Sequence, residues 1–331
     1  MDLTTSYLGL SLKNPVVASA GPLNRHLDNL LHLQDCGAGA VVLPSIFEEQ
    51  IEREQEIFDA LIDHGADSFS EALSYFPAQT AYAYDTGQHL ALIENAAASL
   101  AIPVIASLNG TTANGWVDYA RDIEQAGAAA IELNIFFIPS DATESGLDVE
   151  ARYVDVVRAV SSTVKIPVSV KIGPYFSSPG HMAGELAEAG AKGLAMFNRF
   201  YEPDIDPATL TVRPDIQLSN AYEMRLPLLW IGVLAGRTPA SLAATTGVET
   251  PEDVVKYLLA GADVVMTTSS LLRHGIDHMR VLVDGLTDWL SSRGLNSPAD
   301  IRGRMSHANV DNPEAYERAN YIKVLQDFDG L

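Results

Sequence analysis

The chain has 331 residues, of which 47% are apolar and 19% charged; that balance builds a large buried core and excludes wholesale disorder. Its formal net charge of -22 works against nucleic acid and anionic membrane surfaces as partners, because an acidic field repels phosphate at long range. Cys36 is the single cysteine, which excludes an internal disulfide, a cysteine-held iron–sulfur cluster and a Cys-rich zinc site within this chain. Met1 is followed by the polar run DLTTSY, and no apolar stretch approaches the roughly 18 residues of a membrane span. A protein that is neither secreted nor membrane-spanning is expected, in a reducing cytoplasm.

Along the chain, a short apolar run, a polar break and a helix-period stretch recur. The runs are 15–20 (PVVASA), 40–45 (AVVLPS), 103–108 (PVIASL), 130–135 (AIELNI), 167–172 (PVSVKI), 193–198 (GLAMFN), 241–246 (SLAATT) and 263–268 (DVVMTT). Helices are expected at 27–36, 86–100, 116–126, 149–164, 181–189, 221–234, 251–260 and 276–293. Strands apolar on both faces belong in a parallel sheet covered by helices. The alternation therefore predicts an α/β protein, a single (β/α)8 TIM barrel over residues 1–294, with 295–331 as a helical C-terminal tail packed on it. Residues 48–85 form an inserted segment after the second strand, too long for a structureless loop and expected to carry helices and contribute to a lid. Residues 200–219, rich in Pro and Asp, read as a loop over the barrel mouth.

Barrel enzymes place their chemistry at the C-terminal ends of the strands. Those ends are polar here: Ser19 and Gly21, Ser45, Ser107 and Asn109, Asn134, Lys171, Asn198, Thr246 and Gly247, then Thr267, Thr268 and Ser269. The turns after strands seven and eight suit a single phosphate, with Gly247 permitting close backbone approach; turn chemistry and N-capping alone are the alternative. Lys171 ends an otherwise apolar strand. It faces either a cofactor atom that gains negative charge or a structural partner such as Glu132. Asn134 and Asn198 supply donor and acceptor for the edge of a heteroaromatic ring. The pair His274 and His278 lacks the carboxylates of a zinc motif, and no metal site is expected. Tyr75, Phe76, Tyr82 and Tyr84 either line a pocket or pack.

From LGLSLKNPVVASAGPL to LLRHG, the chain resembles class 1 dihydroorotate dehydrogenases, and within them the dihydroorotate dehydrogenase-like branch, through IELNI, SVKIGPYF, FNRFY and LLAGADVVMTTS. The resemblance implies an FMN-dependent oxidoreductase acting on a CH–CH bond, in pyrimidine biosynthesis, with dihydroorotate as the default substrate. It implies that Ala18, Ser19, Ala20 and Gly21 lie along the flavin. It places Asn134 and Lys171 at flavin-contacting positions, the lysine near the N1/O2 edge, and Asn198 and Ser219 against flavin or substrate. Thr246, Gly247, Thr268 and Ser269 stand at its phosphate-binding turns, and Ser45 and Thr267 complete the cofactor set. Lys171 and Asn134 are the catalytic candidates.

The substrate side departs from the family. Where a catalytic Cys or Ser base is expected after Asn134, the chain reads IFFIP, with Phe136 and Phe137. The Thr-Lys-Ser after the second strand is replaced by Leu43-Pro44-Ser45, and EALSYFP (71–77) stands for the Asn-rich substrate loop. Ser140, Asp141 and Tyr75 are the remaining base candidates, and a substrate more apolar than dihydroorotate is expected. The alternatives are a phosphate-binding aldolase or isomerase using Lys171 as a Schiff-base nucleophile, and a non-catalytic flavin-binding protein. The expected partners are a small-molecule substrate, a soluble electron acceptor or redox partner protein, and a second copy in a homodimer, with no nucleic acid and no membrane.

Overall fold

A computed structural model describes residues 1–51, 85–110, 116–199, 203–213 and 217–317, together with 322, 325 and 326. Eight parallel strands close into a barrel: β1 (Val16–Ala18), β2 (Ala40–Val42), β3 (Val104–Asn109), β4 (Ala130–Asn134), β5 (Val168–Ile172), β6 (Gly193–Met196), β7 (Ser241–Ala244) and β8 (Val264–Thr267). Each pairs with its sequence neighbour and β8 pairs back onto β1, so no edge is left open. The expected barrel is thus observed, seven of its strands one to three residues shorter than their apolar runs and β3 equal in length to its run but shifted by one. β2 stops before Pro44, which has no N–H to give the ladder. Pairing with β3 resumes at Ile46–Phe47, opposite Leu108 and Asn109.

The helices that cover the strands are α1 (Leu27–Asp35), α2 (Thr86–Ser99), α3 (Trp116–Gln125), α4 (Gly146–Ser161), α5 (Pro179–Glu188), α6 (Arg225–Leu234), α7 (Pro251–Ala260), α8 (Ser269–His274) and α9 (His278–Ser292). Among the described residues none is long and apolar enough to cross a membrane. Their starts are chemically specified. Ser145 caps α4 and Thr250 caps α7, each in a reciprocal box with the aspartate three residues on.

An antiparallel hairpin, Thr5–Tyr7 with Leu10–Leu12, precedes β1 and was not evident in the sequence. Tyr7, Leu8 and Leu12 pack with Val17, Ala40, Ala130, Ala195 and Ala243 inside the barrel, forming its floor. The small strand residues leave that room. A Cβ at Gly193 would lie 2.4 Å from Leu8 Cδ2. A second core fills the space between strands and helices.

Elsewhere the structure refines the expectation. The 221–234 helix begins as a 3-10 turn, Ala221–Met224, before α6. The mouth loop carries a small hairpin, Asp204–Asp206 with Thr211–Arg213. Residues 295–317 carry 3-10 turns at Pro298–Asp300 and Pro313–Tyr316. Residues 52–84, with Tyr75, Phe76, Tyr82, Tyr84 and the EALSYFP segment, lie outside the described residues.

Candidate active site

The mouth is assembled at the seam between the last strands and the first. Ser19 N–H donates to the Thr267 carbonyl at 2.9 Å, and Thr268 Oγ1 returns a bond of 2.9 Å to the Ser19 carbonyl. Gly21 passes so close that a Cβ there would sit 2.4 Å from Thr268 Cγ2. Buried Asn24 donates to the carbonyls of Ser19 (3.0 Å) and Val42 (2.7 Å), tying the loop after β1 to β2. The small residues of this stretch therefore meet backbone and side chain of their own barrel.

After β7 the chain turns through two successive left-handed residues, Thr246 at φ 80° and Gly247 at φ 73°. The first is costly for a β-branched residue. Tyr257 of α7, fully buried, holds it by donating to the carbonyls of Thr246 (2.8 Å) and Thr245 (3.0 Å). Thr245 Oγ1 in turn donates to the Phe197 carbonyl at 2.7 Å. The turn brings the Gly247 N–H to 3.4 Å from Ser219 Oγ, which donates to Ser269 Oγ at 2.9 Å. One amide and two hydroxyls converge there, the donor set that anions use.

Behind that set, Arg273 donates to the Ser219 carbonyl at 3.1 Å and pairs with Glu249. His274 pairs with the same carboxylate, and His278 bonds the Glu249 carbonyl at 2.8 Å. Burial works to raise the Glu249 carboxyl, but His274 and Arg273 prevail and hold it below the ordinary range. The two histidines thus brace the turn. Among the described residues, the grouping of three potential metal ligands is His32, Cys36 and Asp277, which sequence spacing did not suggest. There Asp277 accepts from both His32 and Cys36, so the cluster is internally hydrogen-bonded.

A cleft of about 470 Å³, counted out to open solvent, joins these pieces. Of the expected cofactor residues it is lined by Ser19, Ala20, Lys171, Ser219, Thr246, Gly247, Thr267, Thr268 and Ser269. Phe197, Arg199, Thr245, Val248 and Met266 also line it and were missed. Thr245 and Met266 lie inside runs that read as ordinary strand, and only the alternation of faces could have found them. Lys171 is half-buried on β5, without a hydrogen bond or ion pair among the described residues. No ion pair closes with Glu132.

Other expected residues stand apart from the cleft wall. Ala18 is buried against the helix-side core, and Gly21 abuts Thr268. Ser45 is bonded to Ser107 at 2.7 Å. Asn198 donates its side-chain amide to Asn134 Oδ1, so the two expected ring-edge residues engage each other. Ser140 and Asp141 are exposed, and two bonds from Thr143, at 2.7 and 2.8 Å, hold the Asp141 carboxyl below its ordinary range. Phe137 packs on Tyr153 at 5.5 Å with the Arg152 guanidinium over its ring at 4.6 Å. Leu43 likewise turns to the helix-side core.

A closed parallel barrel with a glycine turn after β7 and a lysine at the same mouth is the architecture of a TIM-barrel enzyme, whose site lies at the C-terminal ends of the strands. The dihydroorotate dehydrogenase family model matches residues 2–290, and the chain belongs to that family. Three relatives illustrate its range. The protein of Aeropyrum pernix named "Putative dihydroorotate dehydrogenase A (fumarate)" is 35% identical, over 61% of this chain and 67% of its own length. The catalytic subunit of dihydroorotate dehydrogenase B (NAD(+)) from Thermoplasma acidophilum is 26% identical, over 91% and 98%. The NAD-dependent dihydropyrimidine dehydrogenase subunit PreA of Escherichia coli K12 is 25% identical, over 97% and 80%. The chain is an oxidoreductase of the dihydroorotate dehydrogenase type, which sets that reading above an aldolase or isomerase.

Proposed function

We propose that the cleft binds FMN and that the chain uses it to transfer a hydride equivalent to or from a CH–CH bond of a small ring substrate. The observation that carries this reading is the meeting, in one cleft, of the Gly247–Ser219–Ser269 donor set with Lys171. The donor set suits the phosphate. Ser19 and Ala20 offer a small surface on which a flat ring can lie. The Lys171 ammonium stabilises negative charge at the ring's pyrimidine edge. FMN, when bound, supplies the two-electron chemistry. The Asn134–Asn198 pair stands ready to exchange its mutual bond for polar atoms of cofactor or substrate.

Removing a proton from substrate carbon needs a base. Among the described residues lining the cleft there is no carboxylate, imidazole or thiol, and Glu223, which lines the hollow beside it, is held by Arg199 and Asn220. Dihydroorotate is therefore a poor substrate in this reading, and a more apolar ring is preferred. An adjoining hollow supports it, sharing Phe197, Arg199 and Thr246 with the cleft and walled by Tyr175, Tyr222 and Leu226. Relatives named as subunits favour a redox partner protein over a free acceptor; a homodimer in the cytoplasm completes the proposal. The test is the visible spectrum of the purified protein and the mass of the molecule released on denaturation. A flavin spectrum with the mass of FMN is expected, and a colourless protein that fails to take up added FMN overturns it.

A further inference from the structure

The barrel interior holds polar groups that the site at the mouth leaves unexplained. Glu132 is 1% exposed, and neither of its carboxylate oxygens has a hydrogen-bond partner. Ser169 Oγ, opposite it in the β4–β5 ladder, and Tyr7 Oη, on the floor hairpin, are unpartnered too. Ser107, its neighbour on β3, is engaged by Ser45. Packing does not call for an acid here, since the layer below is filled by residues such as Ala130 and Ile105. An isolated buried carboxylate costs several kcal/mol. The ladder pairs Glu132 with Ser169 and Asn134 with Lys171, so Lys171 stands one interior layer above Glu132 on the neighbouring strand.

We propose that Glu132 is a positioning residue for Lys171: the two form a couple stacked along the barrel axis, in which the buried carboxyl steadies the ammonium at the mouth and offsets part of its charge. Among the described residues, Ser107 on β3 and Ser169 on β5 flank Glu132 in the ladder, and Lys171 and Tyr7 lie within its electrostatic reach. Lys171 alone among them carries positive charge. Burial pushes the Glu132 carboxyl up and Lys171 draws it back; burial and Glu132 together push the Tyr7 phenol up. The couple stands on the chain's own residues, and only its redox consequence rests on the FMN reading.

Trace labelling with limiting acetic anhydride at neutral pH, read by peptide mass, compares Lys171 with the other lysines in purified wild type, Glu132→Gln and Glu132→Asp. Losing the carboxyl that steadies it frees the Lys171 side chain to meet the reagent, so Lys171 in Glu132→Gln is expected to label roughly three- to tenfold faster, with the other lysines unchanged and Glu132→Asp in between. Equal labelling in all three overturns the couple. Stability against pH gives a second reading. A folded-state carboxyl raised above its unfolded value of about 4.3 makes wild type lose stability as pH climbs through that window, because the native state retains a proton the unfolded chain has released. Glu132→Gln removes that slope, and parallel profiles for wild type and variant also overturn the proposal. Should Glu132→Gln fail to fold, Glu132→Asp against wild type carries both comparisons. In FMN-loaded protein, Glu132→Gln raises the reduction potential. Absence of FMN would defeat the cofactor reading while leaving labelling and stability to judge the couple.

Discussion

Lys171 shows how far a single residue can be read from sequence. Its charge at the end of an apolar strand marked it, and the structure puts it in the cleft. Whether it met Glu132 in an ion pair depended on which way two long side chains turn, which spacing does not determine. Replacing Lys171 with Met removes a positive charge beside the proposed ring edge. The bound flavin's two-electron equilibrium should then shift toward the oxidised form by one to two decades, about 30–60 mV in midpoint potential. An unchanged potential in spectroelectrochemical titration would separate Lys171 from the cofactor. Gly247→Val is expected to destabilise the fold by about 1–3 kcal/mol, because φ 73° disfavours a β-branched residue. It should also loosen cofactor, for a reason the sequence did not supply: the new Cβ would lie 2.7 Å from the Asn220 carbonyl, displacing the chain that presents Ser219. Thermal melting and FMN content after dialysis check the two effects.

At the scale of elements, all eight barrel strands and the helices between them were legible, because burial on both faces leaves continuous apolar runs. The floor hairpin escaped: its strands, TSY and LSL, are each broken by a serine and leave no continuous apolar run, and three residues are too few for an alternation to register. The faces taken by Phe137 and Leu43 were not legible for a related reason. A strand end tells which residues are present, and which face each takes is decided by neighbours such as Tyr153 and Arg152 on α4. The α7 cap offers a test of local chemistry. Burial tends to raise the Asp253 carboxyl, but Lys256 and the amides of Thr250 and Glu249 bring it below its ordinary range. A lowered folded value means stability present above the unfolded value of about 3.9 and lost as pH falls through the folded one. Asp253→Asn should cost about 1–2 kcal/mol at pH 7 by urea denaturation and much less near pH 3. A constant difference across that range would show that the carboxylate charge is not what α7 uses.

On the scale of the whole molecule, the net charge of -22 surrounds a mouth whose lining carries Lys171 and Arg199. The field repels anions from a distance while the site holds one at contact, so uptake of FMN should quicken as salt screens the surface. Stopped-flow quenching of FMN fluorescence at 20 and 300 mM salt would detect it, and faster uptake at low salt would contradict it. Anaerobic mixing with dihydroorotate addresses the substrate: slow or negligible bleaching of the flavin is expected, and rapid saturable bleaching would reveal a base beyond the described lining. The floor hairpin carries a consequence of its own. With Tyr7, Leu8 and Leu12 stoppering the far end, the polar layer around Glu132 is a blind well. If protons and water reach it through the mouth, a ligand seated there is its cork. Loading the site should therefore make the interior carboxyl deaf to a rapid jump in pH, giving the protein a short memory of the acidity at which its ligand arrived.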